Sequence, residues 1–98
     1  MKKQELEALA FFFKVFGDVT RLRIIQVLRT NSMCVSDIAE ELKMTPSSIS
    51  HQLKTLRTMN LVKTDKVGKV VYYKLSDRHI FDIFDKGYEH ICERGVMK

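Results

Sequence analysis

Lys43-Met44-Thr45-Pro46-Ser47-Ser48-Ile49-Ser50-His51-Gln52-Leu53-Lys54-Thr55-Leu56-Arg57 is the stretch whose reading decides the fold. Thr45 is a good helix N-cap, and Pro46 suits the first helical position, where its missing N–H is harmless. From Pro46 to about Asn60, Ile49, Leu53, Leu56 and Met59 fall on one side at helical spacing. The other side carries Ser47, Ser48, Ser50, His51, Gln52, Lys54, Thr55 and Arg57. Just upstream, Ser36 or Val35 opens a short helix, Asp37 to Leu42, with Ile38, Ala39 and Leu42 inward. Short helix, tight turn and polar-faced second helix make a helix-turn-helix pattern. The second helix of such a pair enters the major groove with its N-terminal residues at base edges. Small hydroxyls let the backbone approach, Gln52 can read adenine or bridge to phosphate, and Lys54 and Arg57 suit phosphate. A solvated face of an ordinary helix is the bland alternative; the cap, the preceding helix and the basic balance favour duplex DNA.

Working outward, Leu61 to Lys66 and Lys69 to Leu75 read as two strands around Val67-Gly68. Both are rich in β-branched or aromatic residues, and a short Gly-containing turn makes a hairpin. Lys63, Lys66 and Lys69 are read as lying towards its tip, which makes the hairpin a basic wing able to touch backbone phosphate. Tyr72 and Tyr73 alternate faces, so one of them is expected in the core. On the N-terminal side, Val19 to Arg29 is a helix with Asp18 as a fair cap, and Arg21 and Arg23 are read as solvated or ion-paired. Gly17 ends the helix before it, Glu5 to Phe16. That first helix has Leu6, Leu9, Ala10, Phe12, Phe13 and Phe16 apolar, with Phe11 and Val15 beyond the stripe. Three consecutive phenylalanines exceed what one monomer face needs, and point to a buried subunit interface.

Ninety-eight residues, 45% of them hydrophobic, suit one small domain over 1–98 rather than a disordered chain. A net charge of +5 favours an anionic partner, most often nucleic acid. No apolar run reaches the roughly 18 to 20 residues of a membrane span, and no membrane partner is expected. Met1-Lys2-Lys3-Gln4-Glu5 leads into a helix without a signal-peptide pattern. Cys34 and Cys92 form neither a disulfide framework nor a Cys-x-x-Cys pair, so a reducing cytoplasm is expected.

Asp77 to Glu93 is the last amphipathic helix, with Ser76 or Asp77 as N-cap and Ile80, Phe81, Ile83, Phe84, Tyr88 and Ile91 apolar. Four metal-ligand residue types stand at its two ends: Asp77 and His79 at the start, His90 and Glu93 at the finish. The two histidines share a face but are separated by roughly 16 Å, so one helix cannot chelate one ion with both ends. Two copies packed antiparallel across a two-fold axis can. A register that sets Asp77 opposite Glu93 brings His79 within one position of His90. Each of the two resulting sites would hold two imidazoles and two carboxylates, a set suited to tetrahedral zinc or cobalt(II). Solvated polar residues on an outer helix face are the alternative reading.

Taken in order, these segments resemble the ArsR/SmtB family of winged-helix metal-sensing repressors, over roughly Phe11 to Glu93. The resemblance rests on Phe16-Gly17-Asp18-Val19-Thr20-Arg21-Leu22-Arg23-Ile24, Ser50-His51-Gln52-Leu53-Lys54-Thr55-Leu56 and Gly68-Lys69-Val70-Val71-Tyr72-Tyr73-Lys74-Leu75. It implies a mainly α winged helix-turn-helix with the order α-α-α-α-β-β-α, dimerising through its first and last helices. It also implies an intersubunit metal site from Asp77, His79, His90 and Glu93, with Zn(II) the commonest effector and Co(II) or Ni(II) able to share the ligands. DNA contacts are expected from Ser47, Ser48, Ser50, His51, Gln52, Lys54, Arg57, Lys66 and Lys69. The expected function is a homodimeric repressor on an imperfect inverted repeat of operator DNA, released by metal. The family's thiolate sites need a second cysteine where this chain has Ser36, so Cys34 is read as a core residue and Cys92 as a bystander. The alternative is a repressor of the same fold responding to a redox or small-molecule signal. An enzyme is not expected: no Gly-rich phosphate loop or nucleophile elbow is present.

Overall fold

A computed structural model describes residues 1–95; the last three positions of the expected 1–98 domain lie outside the described residues. The element order is α1 (Lys3–Phe16), α2 (Val19–Val27), α3 (Val35–Leu42), α4 (Pro46–Thr58), β1 (Val62–Val67), β2 (Val70–Leu75) and α5 (Arg78–Glu93). This is the α-α-α-α-β-β-α winged helix-turn-helix order. Boundaries move by one or two residues at several ends, where helices fray.

Local chemistry explains each junction. Asp18 caps α2 by accepting from the Arg21 backbone N–H at 3.1 Å. Lys43 takes a left-handed conformation (φ 56°) that stops α3, and the Met44 N–H then reaches back to the Ala39 carbonyl at 2.9 Å. Thr45 Oγ1 accepts from the Ser48 N–H at 3.1 Å, and Pro46 opens α4. Removing that cap in Thr45→Ala should cost about 1 kcal/mol. Thermal unfolding followed by circular dichroism should fall by about 4–8 °C. An unchanged midpoint would mean that packing alone sets the start of α4.

The core gathers one face from every helix. Ile24 and Ile25 of α2, Ile38 of α3, and Ile49, Leu53 and Leu56 of α4 are all 0% exposed, with Leu61, Val62 and Ile80 closing the side next to the hairpin. From α1 only Val15 and Phe16 are buried; Leu6, Phe11 and Phe13 are about half exposed (52%, 53% and 52%). The apolar stripe of α1 therefore serves its own chain's core only in part, through Phe16 and the half-buried Phe12. Val15, which lies off that stripe in the sequence, joins them in the core.

The strands are antiparallel, from Val62 opposite Leu75 to Val67 opposite Val70, around a Gly68-Lys69 turn with Gly68 at φ 64°. A glycine at the first central position of a two-residue turn has the twist a hairpin needs. In this register Lys63 faces Lys74, one pair from the base of the hairpin, so it is not near the tip as its sequence position suggested. Tyr73 packs against the core and Tyr72 does not. Met33 adds a one-residue third strand, exchanging backbone hydrogen bonds with Tyr73 at 3.0 and 2.8 Å.

α5 lies over this body, anchored by Ile80 and by Arg29 from the end of α2. The Arg29 guanidinium sits 3.8 Å above the Phe81 ring and pairs with Asp85 at 3.3 Å. Between α5 and the α1–α2 corner a cavity of about 320 Å³ is lined by apolar side chains, among them Phe16, Leu22, Phe84 and Ile91.

Candidate nucleic-acid interface and metal centre

α4 presents Ser47, Ser50, His51, Lys54 and Arg57 to solvent, while Ser48 and Gln52 are half-buried. Gln52 is held from below. Its Oε1 accepts from Arg21 Nε at 2.9 Å, and Arg21 also donates through a terminal guanidinium nitrogen to the Val15 carbonyl at 3.1 Å. One guanidinium thus fastens the reading helix to the end of α1, leaving the Gln52 –NH2 as its outward donor. Arg23 donates to the Leu42 carbonyl at 3.2 Å, satisfying the last turn of α3. Neither arginine is merely solvated or ion-paired, as the sequence suggested; both bind neutral oxygens and lock helices. No sequence signal announces a partner 31 positions away, as Gln52 is from Arg21.

On the wing, Lys66 and Lys69 are exposed beside the turn, and so are Val67 and Val70 at 65% and 42%. Asp65 pairs with Lys74 at 2.7 Å. The Lys74 ammonium, by hydrogen bond and by charge, holds the Asp65 carboxyl below the usual carboxylate range, with a smaller push from Lys63. With the folded value depressed, the pair's contribution is present above the ordinary carboxylate range and fades as pH falls through the folded value.

Asp77 occupies the N-cap position of α5, yet its side chain makes no capping hydrogen bond. Its Oδ1 instead lies 3.3 Å from His79 Nδ1, with the two side chains 61% and 64% exposed. His90 and Glu93 lie near the far end of α5, both exposed. Among the described residues no three His, Cys, Asp or Glu side chains of one chain come together as a metal-holding group. Cys34 is half-buried where the chain enters α3, and Cys92 is exposed. The Cys92 side chain pushes the Tyr88 phenol up, chiefly by hydrogen bonding and then by charge.

Comparison with known proteins gives this geometry a family. Residues 18–64, from the cap of α2 into β1, match the model of the bacterial regulatory proteins of the arsR family. A transcriptional repressor SmtB homolog of Synechocystis is 37% identical over 93 residues, covering 95% of this chain and 70% of that protein. The chain belongs to the ArsR/SmtB family. A cadmium resistance transcriptional regulatory protein CadC homolog of Staphylococcus aureus is 34% identical, over 92% of this chain and 75% of its own length. The solution structure of apo-NmtR, a regulator of Mycobacterium tuberculosis, is similar at a TM-score of 0.80 and 31% identity, over 95% of this chain and 78% of that one. As an ArsR/SmtB protein the chain is a DNA-binding transcriptional regulator and not an enzyme. Among the described residues no helix is long and apolar enough to cross a membrane.

Proposed function

We propose that the chain is a homodimeric repressor that holds an imperfect inverted repeat of operator DNA and releases it when zinc(II) binds between the α5 helices. Cobalt(II) or nickel(II) could replace zinc at the same ligands. The observation that carries this reading is the 3.3 Å separation of Asp77 Oδ1 and His79 Nδ1. Two ligands bound at about 2.0–2.1 Å to a tetrahedral ion sit about 3.3 Å apart, so the pair already spans one edge of such a site. That the Asp77 carboxylate makes no capping hydrogen bond at the α5 N-cap supports the same reading. His90 and Glu93 of the partner subunit complete the set. When bound, zinc(II) supplies a redox-inert, four-coordinate link between the two helices.

Pairing through α1 and α5 is supported by the half-exposed Leu6, Phe11 and Phe13 and by the apolar cavity between the same elements. A relative whose name ties it to cadmium resistance supports a metal effector. The donors here are nitrogen and oxygen rather than thiolate, which favours zinc over softer ions. Operator DNA as partner implies the cytoplasm.

Ser47, Ser48, Ser50, His51 and Gln52 face the bases in this reading, and Lys54, Arg57, Lys66 and Lys69 take phosphates. Zinc titration of the protein on its own promoter DNA tests the whole: two zinc per dimer and loss of DNA are expected. DNA binding indifferent to zinc would remove the metal half and keep the repressor. The phosphate assignment has its own check. Lys69→Ala should lower the slope of log affinity against log salt by about 1 per subunit, at unchanged sequence preference. An unchanged slope would put the wing tip off the backbone.

A further inference from the structure

An open depression of about 620 Å³ lies at the start of α5, whereas the apolar cavity lies along its later turns; the depression is lined by the end of α2, the chain after it, the hairpin base and the first turn of α5. Four cations converge on it: Arg29, Lys63, Lys74 and Arg78. Lys63 directly faces Lys74 across the hairpin, near enough to the Asp65 carboxylate to act on it by charge. Arg78 opens α5, directly after the N-cap Asp77, and the first turn beyond holds no acid. Lys74 and Arg29 are compensated by Asp65 and Asp85. Among the described residues neither Lys63 nor Arg78 has an ion-pair partner. The one acid in the lining, Asp77, is turned towards His79.

We infer that this depression binds a small phosphorylated molecule, whose dianionic phosphate is held between Lys63 and Arg78. The hydroxyls of Thr30, Ser32 and Ser76 line the same space and add neutral donors. The volume exceeds what one phosphate fills and lies in the range of small-molecule sites, which leaves room for the organic part. The inference does not depend on metal: it concerns the metal-free protein.

The test is titration of the metal-free full chain with inorganic phosphate at constant ionic strength, followed by backbone amide NMR shifts. Saturable shifts confined to residues 29–32, 63 and 74–78 are expected, weakened at least tenfold in a Lys63→Gln, Arg78→Gln double variant. In phosphate-free buffer that variant should melt close to the wild-type temperature, because both side chains are exposed and lie outside the core. Should the double variant not fold, Lys63→Gln alone, on an exposed strand position, must show the weakening. Shifts that stay linear, or that fall on α4 and the wing tip, overturn the inference, as does unchanged binding in the variant. Duplex DNA separates the other source of phosphate: the salt slope of DNA binding should be the same in both proteins. A slope lowered by about 2 per subunit would assign these cations to the DNA backbone and overturn the small-molecule site.

Discussion

His79→Ala is expected to bind operator DNA as the wild type does and to stay bound when zinc is added. The wild type should lose about 100-fold in operator affinity on saturation with zinc, the size of a coupling free energy near 3 kcal/mol. The variant should lose no more than about 3-fold. The imidazole is 64% exposed and, among the described residues, pairs with Asp77 alone, so its removal leaves the core and α4 untouched. In the proposed site it removes one of four ligands and the edge that the Asp77–His79 pair would form. Because coupling is reciprocal, operator DNA should weaken zinc binding to the wild type by the same factor and to the variant hardly at all. Fluorescence anisotropy of labelled operator, with and without zinc, reads the first effect; competition with a chromophoric chelator reads the second. A variant that zinc still strips from DNA at full strength would place the sensing ligands elsewhere.

Leu53→Ala should be the most damaging single change to the folded state. Leu53 is 0% exposed and stands at the middle of α4, between Ile49 and Leu56, which are equally buried. Truncating such a leucine removes transfer energy and leaves a cavity, together about 2–5 kcal/mol. A domain of this size has only about 5–15 kcal/mol in all. The thermal midpoint should therefore fall by at least about 10 °C. His51→Ala, on the exposed side of the same helix, should stay within about 0.5 kcal/mol of the wild type. A Leu53→Ala protein that melts within about 3 °C of the wild type would mean that α4 is not seated by this face.

The order of elements was legible because it is written locally. Thr45 and Pro46 mark a helix start by their own chemistry, Gly68 marks a turn, and the apolar periods mark faces. The Met33–Tyr73 bridge was not legible, since a single paired residue has no period to read. Nor was the inside of α1. Periodicity identifies an apolar face but not what covers it, and here the face divides between Phe16 in the core and Phe13 in solvent. The candidate metal site was half legible within one chain. Asp77 and His79, two apart at a helix start, are close in the fold, but His90 and Glu93 belong to the far end and need a second copy of the helix. The arginines show the remaining gap: residue type announces a charge and says nothing about which carbonyl it will find.

Arg21 has a consequence for how this regulator would diverge. Its guanidinium joins the α1 backbone at Val15 to the Gln52 carboxamide on the reading helix. The posture of Gln52 is thus inherited from outside α4. Transplanting α4 alone into a scaffold without this arginine would carry the alphabet without the grammar. Lysine, a point charge with no planar fork, could not hold both acceptors in the same geometry. If Gln52 faces the bases as proposed, operator preference can drift through a residue outside α4.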